Sequence, residues 1–325
     1  MPELATMPVD APRVVAFVGP TAAGKAALGR EAARRFSLPV LVCDSVKVYR
    51  GLDVGSAKPT PEERARVRHE LFDLVDPDEE FSAGDYARLA WPHLMGGSAG
   101  GGRGLFVGGT GFYLRAVAFT QSAGVQDVAR SPADPERRAF EERWQAREAA
   151  EPGAIARALL AVDPATARAI HPNNRVRTLR ALWLCERTGG PISAVRRDDP
   201  PRPRVQLLLV MVDPAPDVLR ERTVRRLDRM LAAGFLAEVE KLRRAGYDAR
   251  HKAMRSLGYG QLLEVVEGRC ALEAARASIL TATHQYARRQ RTYFRTQLPG
   301  AQVIPVPDPA LCPWGQIEGF LDGPS

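Results

Sequence analysis

The sequence predicts an α/β fold, a parallel sheet flanked by helices with a helical domain inserted into the chain. Three observations carry this expectation. Residues 14–18 (VVAFV) are an apolar run, followed by a glycine-containing turn and by helical composition over residues 26–36. Strand, turn and helix in that order make the first half of a parallel β–α–β unit. Residues 205–212 (VQLLLVMV) are the most apolar stretch and have the unbroken hydrophobicity of a strand buried on both faces. Between these two, residues from about 121 to 197 are rich in Ala, Arg and Glu at helical spacing and contain no strand-like run.

The remaining elements follow in order. A second strand over residues 39–43 leads into Asp44, and charged residues 62–69 and then 82–93 read as helices. Residues 96–104 form a glycine/serine loop, and a short third strand at 105–107 ends in Gly108-Gly109-Thr110. Residues 191–203 are broken by prolines and read as a linker. Long helical patterns occupy 216–246 and 272–297, and the proline-rich tail from 299 is expected to be peripheral. The domain expectation is therefore residues 1–120 as the first part of the core, 121–200 as the inserted helical domain, and 201–325 as the second part of the core with basic C-terminal helices. No internal repeat is present.

Composition excludes several classes. A chain of 325 residues that is 45% hydrophobic and 26% charged has enough apolar side chains for a core, so it is not mostly disordered. No apolar run approaches the roughly 18 residues that span a membrane, and the N-terminal segment lacks the basic head and apolar stretch of a secretory signal. The four cysteines (Cys43, Cys185, Cys270, Cys312) are far apart and form no CxxC pair. They suggest neither a zinc site nor a disulfide framework, and a reducing cytoplasm is expected. The net charge is +8, and only five of the 46 cationic side chains are lysines. Arginine grips phosphates and stacks on bases, which fits a nucleic-acid partner; a GC-rich codon bias would leave the same composition.

The segment Gly19-Pro20-Thr21-Ala22-Ala23-Gly24-Lys25 fits the first seven positions of the phosphate-loop pattern G-x-x-x-x-G-K-S/T, and it sits between a strand and a helix as that pattern requires. Glycines let the backbone curl so that N–H groups face an anion, the helix N-terminus adds positive potential, and Lys25 adds a full charge. Position eight is Ala26, which has no hydroxyl for a metal ion, so an ordinary nucleotide (ATP- or GTP-) hydrolase is disfavoured. Asp44-Ser45 should lie at the C-terminal edge of the sheet near this loop. There Asp44 could hold Mg²⁺ through water, accept a substrate proton, or merely cap a turn. Thr110, after the third strand, brings a hydroxyl and backbone donors to the same edge. His171 to Arg180 place polar and basic groups at a helix start, with Arg177 and Arg180 on one face. Residues 284–295 interleave cations with aromatics; this suits an unpaired RNA segment, or else a solvated basic face with Tyr286 and Tyr293 packed inward.

GPTAAGKAAL, DSVKVYRGLDVGSAKP, FSAGDYARLA, VGGTGFYLRA, HPNNRVRTLRAL, MLAAGFLAEVEKL, SLGYGQ and ARRQRTYFR occur in this order. Together they resemble the tRNA dimethylallyltransferase (tRNA isopentenyltransferase) family over residues 14–298. The resemblance implies a P-loop core with an inserted helical domain, and a loop that binds the diphosphate of dimethylallyl diphosphate. It implies transfer of the dimethylallyl group to the N6 amine of the adenosine 3′ of the anticodon, with Mg²⁺ as cofactor and the tRNA anticodon stem-loop as partner. Positions Gly19, Pro20, Thr21, Ala22, Ala23, Gly24, Lys25 and Ala26 match the diphosphate cradle, Thr21 and Lys25 being the side chains on the leaving group. Arg222 matches the arginine that closes over it. Asp44 matches the general base, and Asp44, Ser45, Val46 and Lys47 the contact with the target nucleotide. Thr110 matches a further polar contact in the channel, and Arg138 the channel arginine. Val176, Arg177, Thr178, Leu179 and Arg180 match a tRNA-contacting helix start. Met254 to Gln261 and Arg288, Arg289 and Gln290 match further tRNA contacts. Ala26 departs from the family's Ser/Thr, Lys47 from a frequent Gln, and Gly260 from a basic side chain. No side chain is assigned as a direct metal ligand, and a monomer is expected. Two other enzymes compete: a P-loop nucleotide kinase, which would need a hydroxyl at position 26, and a prenyltransferase of free adenine nucleotides, which would not need the basic segments. A non-catalytic RNA-binding module is a further alternative.

Overall fold

The computed structural model describes residues 10–96, 102–120, 134–171 and 173–323. Six strands form one sheet: β1 (Arg13–Val18), β2 (Val40–Cys43), β3 (His69–Glu70), β4 (Arg103–Gly108), β5 (Gln206–Val212) and β6 (Gln302–Val306). Their order is β3-β2-β4-β1-β5-β6, and every neighbouring pair is parallel. The helices are α1 (Lys25–Phe36), α2 (Pro61–Arg66), α3 (Ala83–Leu94), α4 (Gly111–Ala118), α5 (Pro135–Ala150), α6 (Ala154–Val162), α7 (Pro164–Ala169), α8 (Arg175–Thr188), α9 (Ile192–Asp198), α10 (Pro216–Ala232), α11 (Phe235–Arg244), α12 (Tyr259–Val266), α13 (Leu272–Thr296) and α14 (Trp314–Asp322). The described chain divides into two compact units, residues 119–202 and the sheet-bearing remainder.

In the sheet unit, β1 lies between β4 and β5, with Phe17 level with Val107 on one side and Val210 on the other. Val15 and Phe17 point into a core built with Leu28 and Ala32 of α1 and Ile317 and Leu321 of α14. On the opposite face Leu94 of α3 fills the space over Gly104. Tyr86 of α3 donates to the Val42 carbonyl at 3.0 Å and stacks on Tyr113 of α4, ring centres 4.4 Å apart. Apolar faces on both sides account for the unbroken hydrophobicity of β1 and β5. Because all strands run one way, the loops after β1, β2, β4 and β5 gather at one edge, where ligands of such sheets bind.

In the other unit, Phe140, Ile155, Leu159, Leu182, Trp183 and Ile192 form a core among α5, α6, α8 and α9. Asp163 is fully buried there. Its carboxylate accepts from the Thr166 amide and hydroxyl at 2.9 and 2.7 Å and from the Ser193 amide and hydroxyl at 2.8 and 2.7 Å. Burial works against its charge, but these four donors outweigh it and hold the carboxyl down to about 2.

Four expectations are corrected. The C-terminal tail is not peripheral: β6 pairs with β5, and α14 packs into the core. Residues 62–69 are not one helix, because α2 ends at Arg66 and His69 already pairs with Val40. The proline-broken linker contains α9, started by Pro191. The long pattern over 216–246 is two helices, divided at Gly234 with φ +94°.

Candidate functional site

The loop after β1 is shaped by positions that side chains would obstruct. Gly19 has φ +132°, and a Cβ there would lie 2.2 Å from the Val212 carbonyl oxygen at the end of β5. The Ala23 amide donates to the Pro20 carbonyl at 3.3 Å, closing the turn. Helix α1 then begins with no side-chain cap and no acidic residue in its first turn. Its first N–H groups are left for an anion, in the positive end of the helix dipole. Lys25 folds back so that Nζ donates to the Pro20 carbonyl at 2.6 Å, while Ala26 is exposed and offers no hydroxyl.

Asp44, at the end of β2, does two things with one carboxylate. Its Oδ1 accepts from the Val46 and Lys47 amides at 2.9 and 3.3 Å, so the turn-capping reading holds for that oxygen. Oδ2 takes no hydrogen bond from any described residue. The Ser45 amide donates to Thr110 Oγ1 at 2.9 Å, and the Thr110 amide donates to the Cys43 carbonyl at 3.2 Å, which joins the loops after β2 and β4. The Tyr286 hydroxyl reaches Thr110 as well, and burial, with Asp44 nearby, pushes this phenol up to about 12. It is a proton-holding neighbour of the carboxylate at neutral pH.

Three cations surround Asp44. Burial, and then the charge of Arg226, push Lys25 down to about 7, with Asp44 opposing. Burial pushes Lys47 down to about 8, again against the pull of Asp44 and with Arg226 adding to the fall. Arg226 is lowered by burial, with Asp44 opposing. Arg222 Nη1 donates to the Ala23 carbonyl at 3.3 Å, so this face of α10 lies on the loop. Sequence reasoning assigned Arg222 and missed Arg226, although a spacing of four on a helix puts both on one face. It also missed Tyr286 as a neighbour of Asp44.

The glycines after β4 are required by packing. They make room for α13: a Cβ on Gly109 would lie 2.1 Å from Gln290 Nε2, and one on Gly111 would lie 2.2 Å from the Tyr293 ring. Gln290 is buried. Its Nε2 donates to the Gly109 carbonyl at 2.9 Å, and its Oε1 accepts from the Thr21 amide at 2.9 Å. That corrects its assignment as an RNA contact, and it removes the Thr21 amide from the donors that could face an anion. Arg288 and Arg289 are on the exposed side of the same helix, Arg289 lying 5.9 Å over the Tyr286 ring. Arg291 and Arg295 are instead tied to Asp213 at the end of β5, at 2.6 and 3.1 Å.

The long segment 44–60 is a built support. Lys58 is buried and donates to the Tyr49 carbonyl at 2.6 Å and to Asp53 at 2.7 Å, and it pairs with Asp73. Glu238 of α11 accepts from the amides of Asp53, Val54 and Gly55 at 2.9, 2.7 and 3.1 Å and from the Tyr259 hydroxyl at 2.7 Å. Met254 and Tyr259 are fully buried, so these two do not present side chains to RNA, contrary to expectation.

The remaining assigned residues belong to the inserted unit. Val176, Arg177 and Arg180 are exposed at the start of α8, and Arg138 is exposed on α5. Thr178 and Leu179 are corrected: they face inward, Thr178 Oγ1 donating to the Asn174 carbonyl at 3.0 Å and Leu179 packing in that unit's core.

Fold and site together define an α/β protein that presents an uncapped helix end and a set of cations to one open carboxylate oxygen at a sheet edge. The family model described as IPP transferase matches residues 47–297, and that of isopentenyl transferase matches residues 12–75. A tRNA dimethylallyltransferase of Roseiflexus sp. (strain RS-1) is 43% identical over 295 residues, 90% of this chain and 92% of that protein. A solved tRNA isopentenylpyrophosphate transferase of Bacillus halodurans is 30% identical, with TM-score 0.62, over 95% of this chain and 97% of that one. A eukaryotic dimethylallyltransferase acting on tRNA shares the fold at TM-score 0.75 and 22% identity, over 95% and 78% of the two chains. The chain belongs to the IPP transferase family and is an enzyme of prenyl transfer.

Proposed function

We infer that the protein transfers the dimethylallyl group from dimethylallyl diphosphate to the N6 amine of the adenosine 3′ of the anticodon in tRNA, releasing diphosphate. The observation that carries this reading, beside family membership, is the open Oδ2 of Asp44 set among Lys25, Lys47 and Arg226. The amine nitrogen attacks the allylic carbon, the carbon–oxygen bond to the diphosphate breaks, and the amine proton passes to Asp44. Oδ1 is fixed by two backbone amides, so Oδ2 is aimed without a loss of side-chain freedom at the moment of reaction. Negative charge developing on the leaving diphosphate meets the first amides of α1, Lys25 and the α10 arginines. The amine lies within the stacked anticodon loop, so the base must be turned out to reach the allylic carbon.

Mg²⁺ supplies charge neutralisation on the diphosphate when bound. No group of three His, Cys, Asp or Glu side chains converges among the described residues. The Ser45 hydroxyl, and Asp44 through water with its Oδ2 left to take the proton, would suit an ion that takes most of its oxygens from the diphosphate and water. For the RNA we propose Arg288 and Arg289 on α13 and Val176, Arg177, Arg180 and Arg138 in the inserted unit. We also propose a monomer, and a cytoplasmic location supported by four free cysteines of which three are buried. Among the described residues no helix is long and apolar enough to cross a membrane.

Radiolabelled dimethylallyl diphosphate offered with tRNA, AMP or ATP tests the reading. Label should enter tRNA alone. Label entering AMP or ATP but not tRNA would replace it with a prenyltransferase of free nucleotides.

A further inference from the structure

The cations at the sheet edge outnumber their partners. The side chains of Lys47 and Arg226 make no hydrogen bond or ion pair with any described residue. Among the described residues Lys25 Nζ is bonded only to the Pro20 carbonyl. Each is half-buried; Arg226 acts against the charge of both lysines, Arg229 acts against that of Arg226, and Asp44 is the one carboxylate common to all three, with Glu63 adding only to Lys47. The arginines that hold α13, by contrast, are matched to Asp213. Half-buried like charges without matching anions are costly, and a bound polyanion relieves that cost.

Geometry says where such an anion would sit. Arg222 touches the Ala23 carbonyl, and Arg226 follows one helical turn later on the same face. Lys47 is pinned beside Asp44 through its own amide. Both therefore border the space between the uncapped start of α1 and Asp44. In phosphate loops with Ser or Thr at the eighth position, that hydroxyl holds Mg²⁺ against the phosphates. Ala26 cannot.

We propose that Lys47 and Arg226 complete a diphosphate site in which protein cations carry much of the charge that a hydroxyl-held Mg²⁺ carries in other phosphate loops. Diphosphate then binds without a divalent ion, and Mg²⁺ adds little affinity. The identity of the diphosphate as the leaving group of prenyl transfer rests on the function inferred above; the anion site itself does not.

Calorimetric titration of inorganic diphosphate into the full-length protein, with EDTA and then with Mg²⁺, tests this. The unsubstituted protein should bind in EDTA, with Mg²⁺ tightening binding by less than about tenfold. Lys47→Gln and Arg226→Gln should each weaken binding in EDTA by roughly tenfold or more, the scale of one charge-assisted hydrogen bond. Lys47→Arg should restore most of it. Ala26→Thr should enlarge the gain from Mg²⁺. No binding in EDTA, unchanged affinity in both glutamine variants, or Lys47→Arg as weak as Lys47→Gln would each overturn the proposal. Prenyl transfer to tRNA, assayed on the same preparations, separates the two readings. Transfer with unchanged diphosphate binding removes the cation site alone; diphosphate binding lost in the variants, with no transfer by the unsubstituted protein, removes the inferred function alone.

Discussion

Gln290 and Thr21 are 269 positions apart in sequence and are joined by a 2.9 Å hydrogen bond from the Thr21 amide to the glutamine Oε1. The other end of the same side chain holds the Gly109 carbonyl. One buried amide thus fixes the loop after β1 against the turn after β4. Gln290→Met keeps the volume and strands both backbone groups. Stability in denaturant should fall by roughly 2–6 kcal/mol, at 1–3 kcal/mol for each of the two stranded groups. Affinity for diphosphate should fall and tRNA affinity stay unchanged. A loss confined to tRNA affinity would return Gln290 to the RNA surface.

Asp44→Asn preserves an oxygen for the Val46 and Lys47 amides and removes the base. Single-turnover transfer should slow by roughly 10²–10⁴, with tRNA affinity unchanged. A wild-type rate at neutral pH would reduce Asp44 to its turn-capping role.

Arg288 and Arg289 are exposed, and Arg289 lies over Tyr286. Replacing both by Ala should weaken tRNA binding and flatten its dependence on salt concentration, because a surface that neutralises fewer phosphates displaces fewer counterions when it binds. Filter binding across a salt series reads both effects. An unchanged slope would mark a solvated face.

The inserted unit should be acid-sensitive through Asp163. Its folded value near 2 lies below the ordinary 3.8, so the stabilisation is complete above about pH 4 and is lost as pH falls toward 2. The difference is worth on the order of 2 kcal/mol. Acid titration followed by circular dichroism should show this loss, and Asp163→Asn should destabilise at pH 7 and remove that part of the pH dependence. Identical acid profiles for both proteins would show that Asp163 does not contribute.

Much of the sheet was readable because β1, β2, β4 and β5 are apolar on both faces and each ends in a turn signal. β6 was not: Pro305 interrupts QVIPV and three of its five residues are exposed, as suits an edge strand. The loop and Asp44 were readable because backbone chemistry dictates glycine and a strand end dictates position. Arg226 and Lys47 were harder, since a cation's partners lie on other elements; helical spacing from Arg222 was the available signal for the first. Nothing local marks Gln290 as a tie rather than an RNA contact, because a glutamine between arginines looks the same in either role. Of the conspicuous DSVKVYRGLDVGSAKP segment only Asp44 to Lys47 was read as facing substrate, and beyond Lys47 much of it is held by its own Lys58 and by Glu238 of α11.

The central position of β1 has a consequence for synthesis on the ribosome. Its neighbour β5 ends at Val212, so at 5–20 residues per second Phe17 waits roughly 10–40 s for Val210 to be translated. Until Val107 is made both edges of this apolar strand are unpaired, and from then until Val210 one edge stays open. Such long-range parallel pairing folds slowly, and the newborn polypeptide needs shielding from its neighbours until the insertion has been translated and the sheet can close.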